Sequence, residues 1–539
     1  MSTFLTTHRA SIYRPAWRVL GAGLCLILGL FAQAAVAASD NAAGAAVPRH
    51  ALVIGNSQYV VGALVNPGND ARAMAEQLRL AGFAVTLKVD AGRRDMQEAL
   101  RTFAEQLHAD KGIGVFYFAG HGVQLNWRNF LLPVDARIRA KADVQAQAVD
   151  LEVLFDGLAR ARNALNIVIL DACRNNPFGN DFRVDDPGLS QLDAPNGTLL
   201  AFATAPGNTA EDGSGDHGLY TGNLLQEMQA PGAAVEDVFK RVRLAVRRGS
   251  QGSQIPWEST SLEADFSFLA GKASGDSAQE FQDDLAAWQQ LRRADSVDSL
   301  DAFIRHRPSG KFAEMAQFRL DQLLAAKGEK SVRPVAASTE NCAPGKAAAV
   351  YTGPAVAYRP GERYRYRRVN LLDGSEIGRN DLTVAKISDD EVQFNDGATV
   401  TDLFGNQVRA PDGRKWTPYQ FFIADYQVGK KWSAQFLVTQ ADGKQLNNDF
   451  ELRVVGRERI TLPAGNFDAF RIQARGTNLS NGDTLERTAW VAPEKMRGVL
   501  AMESTVHRNG KLVEAERSEL LNYTAPPAKS SLGGLPAAY

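Results

Sequence analysis

Two apolar runs, each stopping at a reactive side chain, constrain this chain more than anything else in it. Gly112–Ala119 runs into Gly120-His121-Gly122, and Asn166–Asp171 runs into Ala172-Cys173-Arg174-Asn175. Short apolar runs of this kind read as strands buried on both faces of a parallel sheet. In open α/β sheets, sites form outside the carboxyl ends of the strands. The pattern therefore sends one imidazole and one thiol to the same rim of one sheet. An imidazole can take a thiol proton and return it to a leaving group, which is what cysteine nucleophilic catalysis requires.

The surrounding sequence alternates in the same style. His50–Ile54, Phe83–Val89 and Leu199–Thr204 read as further strands. Asp70–Leu80, Asp95–Leu107, Leu219–Met228 and Val235–Arg247 read as helices, with Leu100, Phe103, Ala104 and Leu107 on one face. Residues 48–271 are thus expected to be an α/β domain, a mostly parallel sheet with helices on both faces. After a polar break at 272–276, helical spacing returns over 277–326, a helical module. Residues 327–345 lack periodicity and read as a linker. From 346 to 523 turn dipeptides recur between alternating segments: Asp373-Gly374, Asp396-Gly397, Asp412-Gly413, Asp442-Gly443, Asn481-Gly482 and Asn509-Gly510. These favour two-residue hairpins with positive φ at both central positions, so an antiparallel sandwich or barrel is expected. Residues 524–539, rich in Pro, Ala, Ser and Gly, read as a disordered tail.

Sixty basic residues face 61 acidic ones, a formal net charge of −1, so nothing argues for nucleic acid as a partner. Arg9, Arg14 and Arg18 precede an apolar run from Val19 to Ala32, and Ala35-Val36-Ala37 gives a small-residue cleavage pattern. Residues 1–37 therefore read as an export signal, cleaved or kept as an anchor, for a periplasmic or secreted protein. No stable membrane insertion is expected once the signal is removed. Beyond the signal only Cys173 and Cys342 remain, too few and too distant for a disulfide framework.

The stretch 48–271 resembles the caspase-like cysteine peptidases, in particular their bacterial members related to metacaspases. The resemblance rests on Tyr117-Phe118-Ala119-Gly120-His121-Gly122 and on Asp171-Ala172-Cys173-Arg174-Asn175-Asn176-Pro177-Phe178. Ala203-Thr204-Ala205-Pro206-Gly207, Gly218-Leu219-Tyr220-Thr221 and Pro256-Trp257-Glu258-Ser259 support it. It implies an endopeptidase acting on peptide or protein substrates without a cofactor. His121 would be the general acid/base and Cys173 the nucleophile. The amides of Gly122 and Cys173 would form the oxyanion hole, with roughly 3–4 kcal/mol from each donor. Asp171 and Asp70 match acidic positions of a first pocket that accepts Arg or Lys, which carboxylates can hold bidentately. Asp70 also suits a helix N-terminus on its own account, and Asp171 suits a strand-end carboxylate bonded to amides. His217, in a Gly-rich loop, is a competing base that follows no strand.

The sequence departs from metacaspases at Ala119, where many have Ser. It also lacks their acidic cluster between the two motifs, so too few hard oxygens gather there for calcium. No cysteine–histidine spacing suggests zinc, and no metal is expected. Under a basic preference, Arg183 is the candidate for self-cleavage in the segment Asn175–Gly197. The β-rich domain offers Leu462–Phe470, which resembles a motif of bacterial envelope β domains, and with it a surface for an envelope protein partner. Tyr364, Tyr366, Trp432 and Trp490 read as core. A competing reading keeps the caspase-like fold without catalysis, as an interaction protein of the cell envelope.

Overall fold

The computed structural model describes residues 47–125, 128–173, 197–204, 215–262, 264–271, 277–328, 350–351, 357–388 and 390–526. Residues 1–37, Cys342 and Arg183 lie outside these. The chain divides into two units, Met1–Pro48 and Arg49–Tyr539. The first is described only at Val47 and Pro48; every described strand and helix belongs to the second.

The α/β part starts with β1 (Arg49–Gly55), α1 (Pro67–Leu80), β2 (Ala84–Val89), α2 (Arg93–Asp110) and β3 (Ile113–Leu125). It continues through β4 (Arg128–Leu131), α3 (Lys141–Gln147), β5 (Val149–Asp150), α4 (Glu152–Ala161) and β6 (Leu165–Cys173). β7 (Thr198–Phe202), α5 (Leu219–Glu227), α6 (Val235–Gly249) and β8 (Trp257–Thr260) complete it. The sheet order is β2-β1-β3-β6-β7-β8, parallel except for the β7–β8 pair. Alternate residues of each strand face opposite layers. Val53, Tyr117, Ile167, Ile169 and Leu199 pack with α1, α5 and α6. Leu52, Phe116, Phe118, Val168 and Leu200 pack with α2 and α4. Both faces being covered, the central strands β1, β3, β6 and β7 are largely apolar, which is why they read as continuous runs.

β3 does not stop at Ala119, as its sequence suggests. It crosses Gly120 and His121 and runs on to Leu125, pairing antiparallel with β4, which in turn pairs with β5. Periodicity assigned nothing between the two strand ends; α3, α4 and the β4–β5 pair occupy that stretch.

Three helices follow: α7 (Ser277–Leu291), α8 (Val297–His306) and α9 (Ala313–Ala326). Phe281, Leu285, Trp288, Leu300, Phe312 and Leu320 form their core, and Leu244 of α6 inserts into it. β9 (Val350–Tyr351) pairs with β16 (Tyr426–Gln427). The remaining strands are β10 (Arg363–Asn370), β11 (Glu376–Ile387), β12 (Glu391–Phe394), β13 (Thr399–Asp402), β14 (Gln407–Arg409) and β15 (Lys415–Trp416). They are joined by β17 (Lys431–Thr439), β18 (Gln445–Leu462), β19 (Gly465–Asn478), β20 (Thr484–Val491), β21 (Ala501–Arg508) and β22 (Lys511–Thr524). These twelve form a closed antiparallel barrel, with β22 paired back onto β10.

All six turn dipeptides fall between consecutive strands, and every glycine in them has positive φ. Their turn type differs from expectation. Only Asn509-Gly510 and Asp396-Gly397 have both residues at positive φ. At Asp373, Asp412, Asp442 and Asn481 the side chain instead accepts a bond from the amide two residues on, an Asx turn. Leu462–Phe470 is the tight β18–β19 hairpin, with Leu462 opposite Gly465. Tyr364, Tyr366, Trp432 and Trp490 are all buried. No helix among the described residues is long and apolar enough to cross a membrane.

The parts touch through ion pairs. Arg248 of α6 meets Asp298 of α8 at 2.9 Å, and Arg247 meets Asp321 of α9. Arg292, just past α7, meets Asp390 at 2.6 Å, and Lys311 meets Asp449 at 2.6 Å on the barrel. Lys431 donates to the carbonyl of Leu262 just past β8.

Candidate active site

His121 sits where β3 changes partners, and a glycine allows the change. Gly120 has φ +152°, and a Cβ there would lie 2.5 Å from the Tyr59 hydroxyl and 3.0 Å from the Phe118 ring. The His121 amide donates to that hydroxyl at 2.9 Å, and the hydroxyl donates to the Leu132 carbonyl at 3.1 Å. The Leu132 amide returns a bond to the His121 carbonyl at 2.9 Å. Asn56 closes the arrangement: its Nδ2 donates to Leu132 O at 3.0 Å and its Oδ1 accepts from Ala91 N at 2.9 Å.

The imidazole is buried, 4% exposed, and tilted against the Tyr59 ring with centroids 4.5 Å apart. Its Nε2 lies 2.6 Å from the Gly62 carbonyl oxygen. A carbonyl can only accept, so Nε2 carries the proton and Nδ1 is the basic nitrogen of the neutral ring.

Cys173 is the last residue of β6 and stands opposite His121 in the parallel ladder. Neighbouring strands run about 4.8 Å apart, so the two main chains are one strand spacing from each other. Successive peptide groups of an extended strand point to opposite sides. The His121 amide and carbonyl face Tyr59 and Leu132, so the Gly122 amide is directed the other way, toward the β6 side.

Asp171 and Asp70 lie in a second group beside this one. Thr221, in the first turn of α5, donates to Asp171 Oδ2 at 2.6 Å. The Tyr117 hydroxyl, 2.7 Å from Thr221 Oγ1, donates to it in turn. Burial pushes the Tyr117 phenol well above its usual range, and the charges of Asp171 and Asp70 push it further. Both carboxylates therefore act on one small volume. They are held differently. Asp70 is 2% exposed in the first turn of α1 and accepts from His217 Nδ1 at 2.8 Å and Gly218 N at 3.3 Å. Asp171 is half-buried at the end of β6. His217 is thus a loop residue that faces Asp70.

Sequence reasoning singled out the two motif residues and both carboxylates but gave no role to Asn56, Tyr59, Gly62, Tyr117 and Thr221. Tyr117 offered a signal, a hydroxyl inside a run of Phe and Val. The Asn56–Gly62 stretch offered none, because its contribution is made through a ring, a hydroxyl and a carbonyl that only the fold brings to His121.

Residues 48–267 match the family model of the caspase domain. The chain is 29% identical over 162 residues to human mucosa-associated lymphoid tissue lymphoma translocation protein 1, covering 30% of this chain and 19% of that protein. The mouse homolog aligns over the same length at 29% identity, with 18% of it covered. The chain thus spans about a fifth of the length of the curated relatives it matches. Residues 48–267 are a caspase domain of the C14 peptidase family.

Proposed function

We propose, on the premise of that caspase domain, that the chain is an exported cysteine endopeptidase cutting peptide bonds after arginine or lysine. The observation that carries the reading is the register pairing of His121 with Cys173 at the ends of adjacent parallel strands. With Nε2 committed to the Gly62 carbonyl, Nδ1 takes the thiol proton of Cys173. The sulfur attacks the substrate carbonyl carbon, and negative charge collects on its oxygen, opposite the amides of Gly122 and Cys173. The C–N bond breaks as the imidazolium returns its proton to the leaving amine. Water, deprotonated by His121, then attacks the thioester and releases the acid and the thiol. Asp171, backed by Asp70, supplies the negative charge for a basic side chain. Export rests on residues 1–37.

The test is a fluorogenic peptide panel with the full chain and its Cys173→Ala and His121→Ala variants. Cleavage after Arg or Lys, lost in both variants while their circular dichroism is unchanged, is the expected result, since the pair acts as a unit. Full activity in Cys173→Ala would remove this site, and preference for Asp would remove the acidic pocket. Inertness of the native chain toward every peptide would favour the caspase-fold envelope interaction protein.

A further inference from the structure

One strand of the barrel, β20, carries a cation on its core-facing side. Along β20, Leu485, Arg487, Ala489 and Val491 share one face, with Arg487 opposite Ala474 of β19 and Ser504 of β21. Leu485, Ala489 and Val491 join the barrel core, which includes Phe421 and Phe450. The Arg487 guanidinium lies over those two rings, 5.0 Å from Phe450 and 5.5 Å from Phe421. Its Nε is buried, and among the described residues it meets no hydrogen-bond acceptor.

Three other ring-stacked arginines of the barrel hold carboxylates. Arg457, over Phe470, holds Asp468 at 3.0 Å and Glu494 at 2.7 Å. Arg517, over Trp490, holds Glu503 and Glu519. Arg414, over Trp416, holds Asp412 at 2.7 Å. For Arg487 no carboxylate pairs among the described residues. Burial lowers its pKa, and Tyr419 and Glu514 offset this only in part. A desolvated cation without a counter-charge is costly.

Beside Arg487 is a cavity of about 240 Å³. Tyr358, Tyr364, Phe394, Tyr419 and Phe421 give it aromatic walls, and Arg497 adds a second cation. No Asp or Glu lines it among the described residues. A void of roughly 150 Å³ already accepts a benzene, so this one has room for a ring or short chain with a charged head.

We propose that the barrel cavity binds a small amphipathic carboxylate, its head on Arg487 and its apolar body between the aromatic rings. The site is independent of the peptidase reading. Isothermal titration of the full chain with hexanoate, 1-hexanol and phenylacetate tests it. At least one carboxylate should bind, and hexanoate should bind roughly tenfold or more tighter than hexanol, which shares its chain but not its charge. Arg487→Met should abolish carboxylate binding while keeping the thermal midpoint of the unliganded protein, and Cys173→Ala should leave binding unchanged. Equal affinity for hexanoate and hexanol, no heat with either carboxylate, or carboxylate binding retained in Arg487→Met would each overturn the proposal. The hexanoate–hexanol comparison uses the native chain and so stands even if Arg487→Met fails to fold.

Discussion

His121 is held by its neighbours on every side: amide to Tyr59, carbonyl to Leu132, ring nitrogen to Gly62. These contacts fix the tautomer of the neutral ring, with Nδ1 as its basic nitrogen. Asp171, the less buried of the two carboxylates, should carry most of the selectivity. Asp171→Asn is expected to raise KM for arginyl peptides roughly tenfold or more with a smaller change in kcat, and steady-state kinetics on paired Arg and neutral substrates measures it. An unchanged KM would move the acidic pocket elsewhere. A different carboxylate sets a pH dependence. Asp402, buried at the end of β13, accepts from the amides of Phe404 and Asn406, yet burial pushes its pKa up to about 6. Its folded pKa lies above the unfolded value near 3.9, so the folded state binds the extra proton. Stability from this group therefore rises as pH falls from about 7 to 4 and is lost as pH climbs through 6. The melting temperature of the native chain minus that of Asp402→Asn should accordingly grow between pH 7 and pH 4.5, by calorimetry; a flat difference would contradict the shift.

At the scale of elements, the short glycine-flanked motif around His121 is a strand in its own right. Gly120 lets β3 leave β1 and take up β4. Gly120→Ala forces a strained φ and pushes a methyl onto Tyr59 and Phe118, so about 2–4 kcal/mol of destabilisation is expected. Urea unfolding of that variant, together with its activity, should show both falling; a native midpoint would mean the strand reroutes freely. The buried strands were legible because both faces of the sheet demand apolar residues, and the helices because one face does. β4 and β5 were not: four and two residues long, they are too short to show a period. β8 was missed for a similar reason, since Trp257–Thr260 is apolar only at its start. The turns of the barrel were located correctly by Gly after Asp or Asn. Their type was not, because an Asp side chain can stabilise the turn by bonding its own backbone instead of taking positive φ.

Over the whole molecule, α6 serves two cores. Val238, Phe239, Val242 and Val246 pack on the caspase sheet, while Leu244 reaches into the three-helix module. The sequence showed α6 as a helix but not its second contact, because one leucine on the far face looks like an ordinary surface residue. A chain cut back to residues 47–271 leaves Leu244, buried in the full chain, facing water. That shortened chain is expected to melt several degrees below the caspase domain in the full protein. In the full chain, Leu244→Asp should cost about 2–4 kcal/mol. Calorimetry measures both, and an unshifted transition would show that the module rides on the caspase domain without supporting it.

The closure of the barrel sets a timetable. β10 has β11 on one side from the outset, but its other edge pairs only with β22, Tyr364 opposite Tyr523 and Arg363 opposite Thr524. Contacts this distant along the chain are slow to form, since the loop entropy must be met before the pairing rewards it. In the caspase sheet, by contrast, β1, β2 and β3 are joined through one helix each, and this part can assemble while later residues are still being made. The caspase half therefore reaches its fold first, and the barrel stays an open sheet with two bare edges until its final strand arrives.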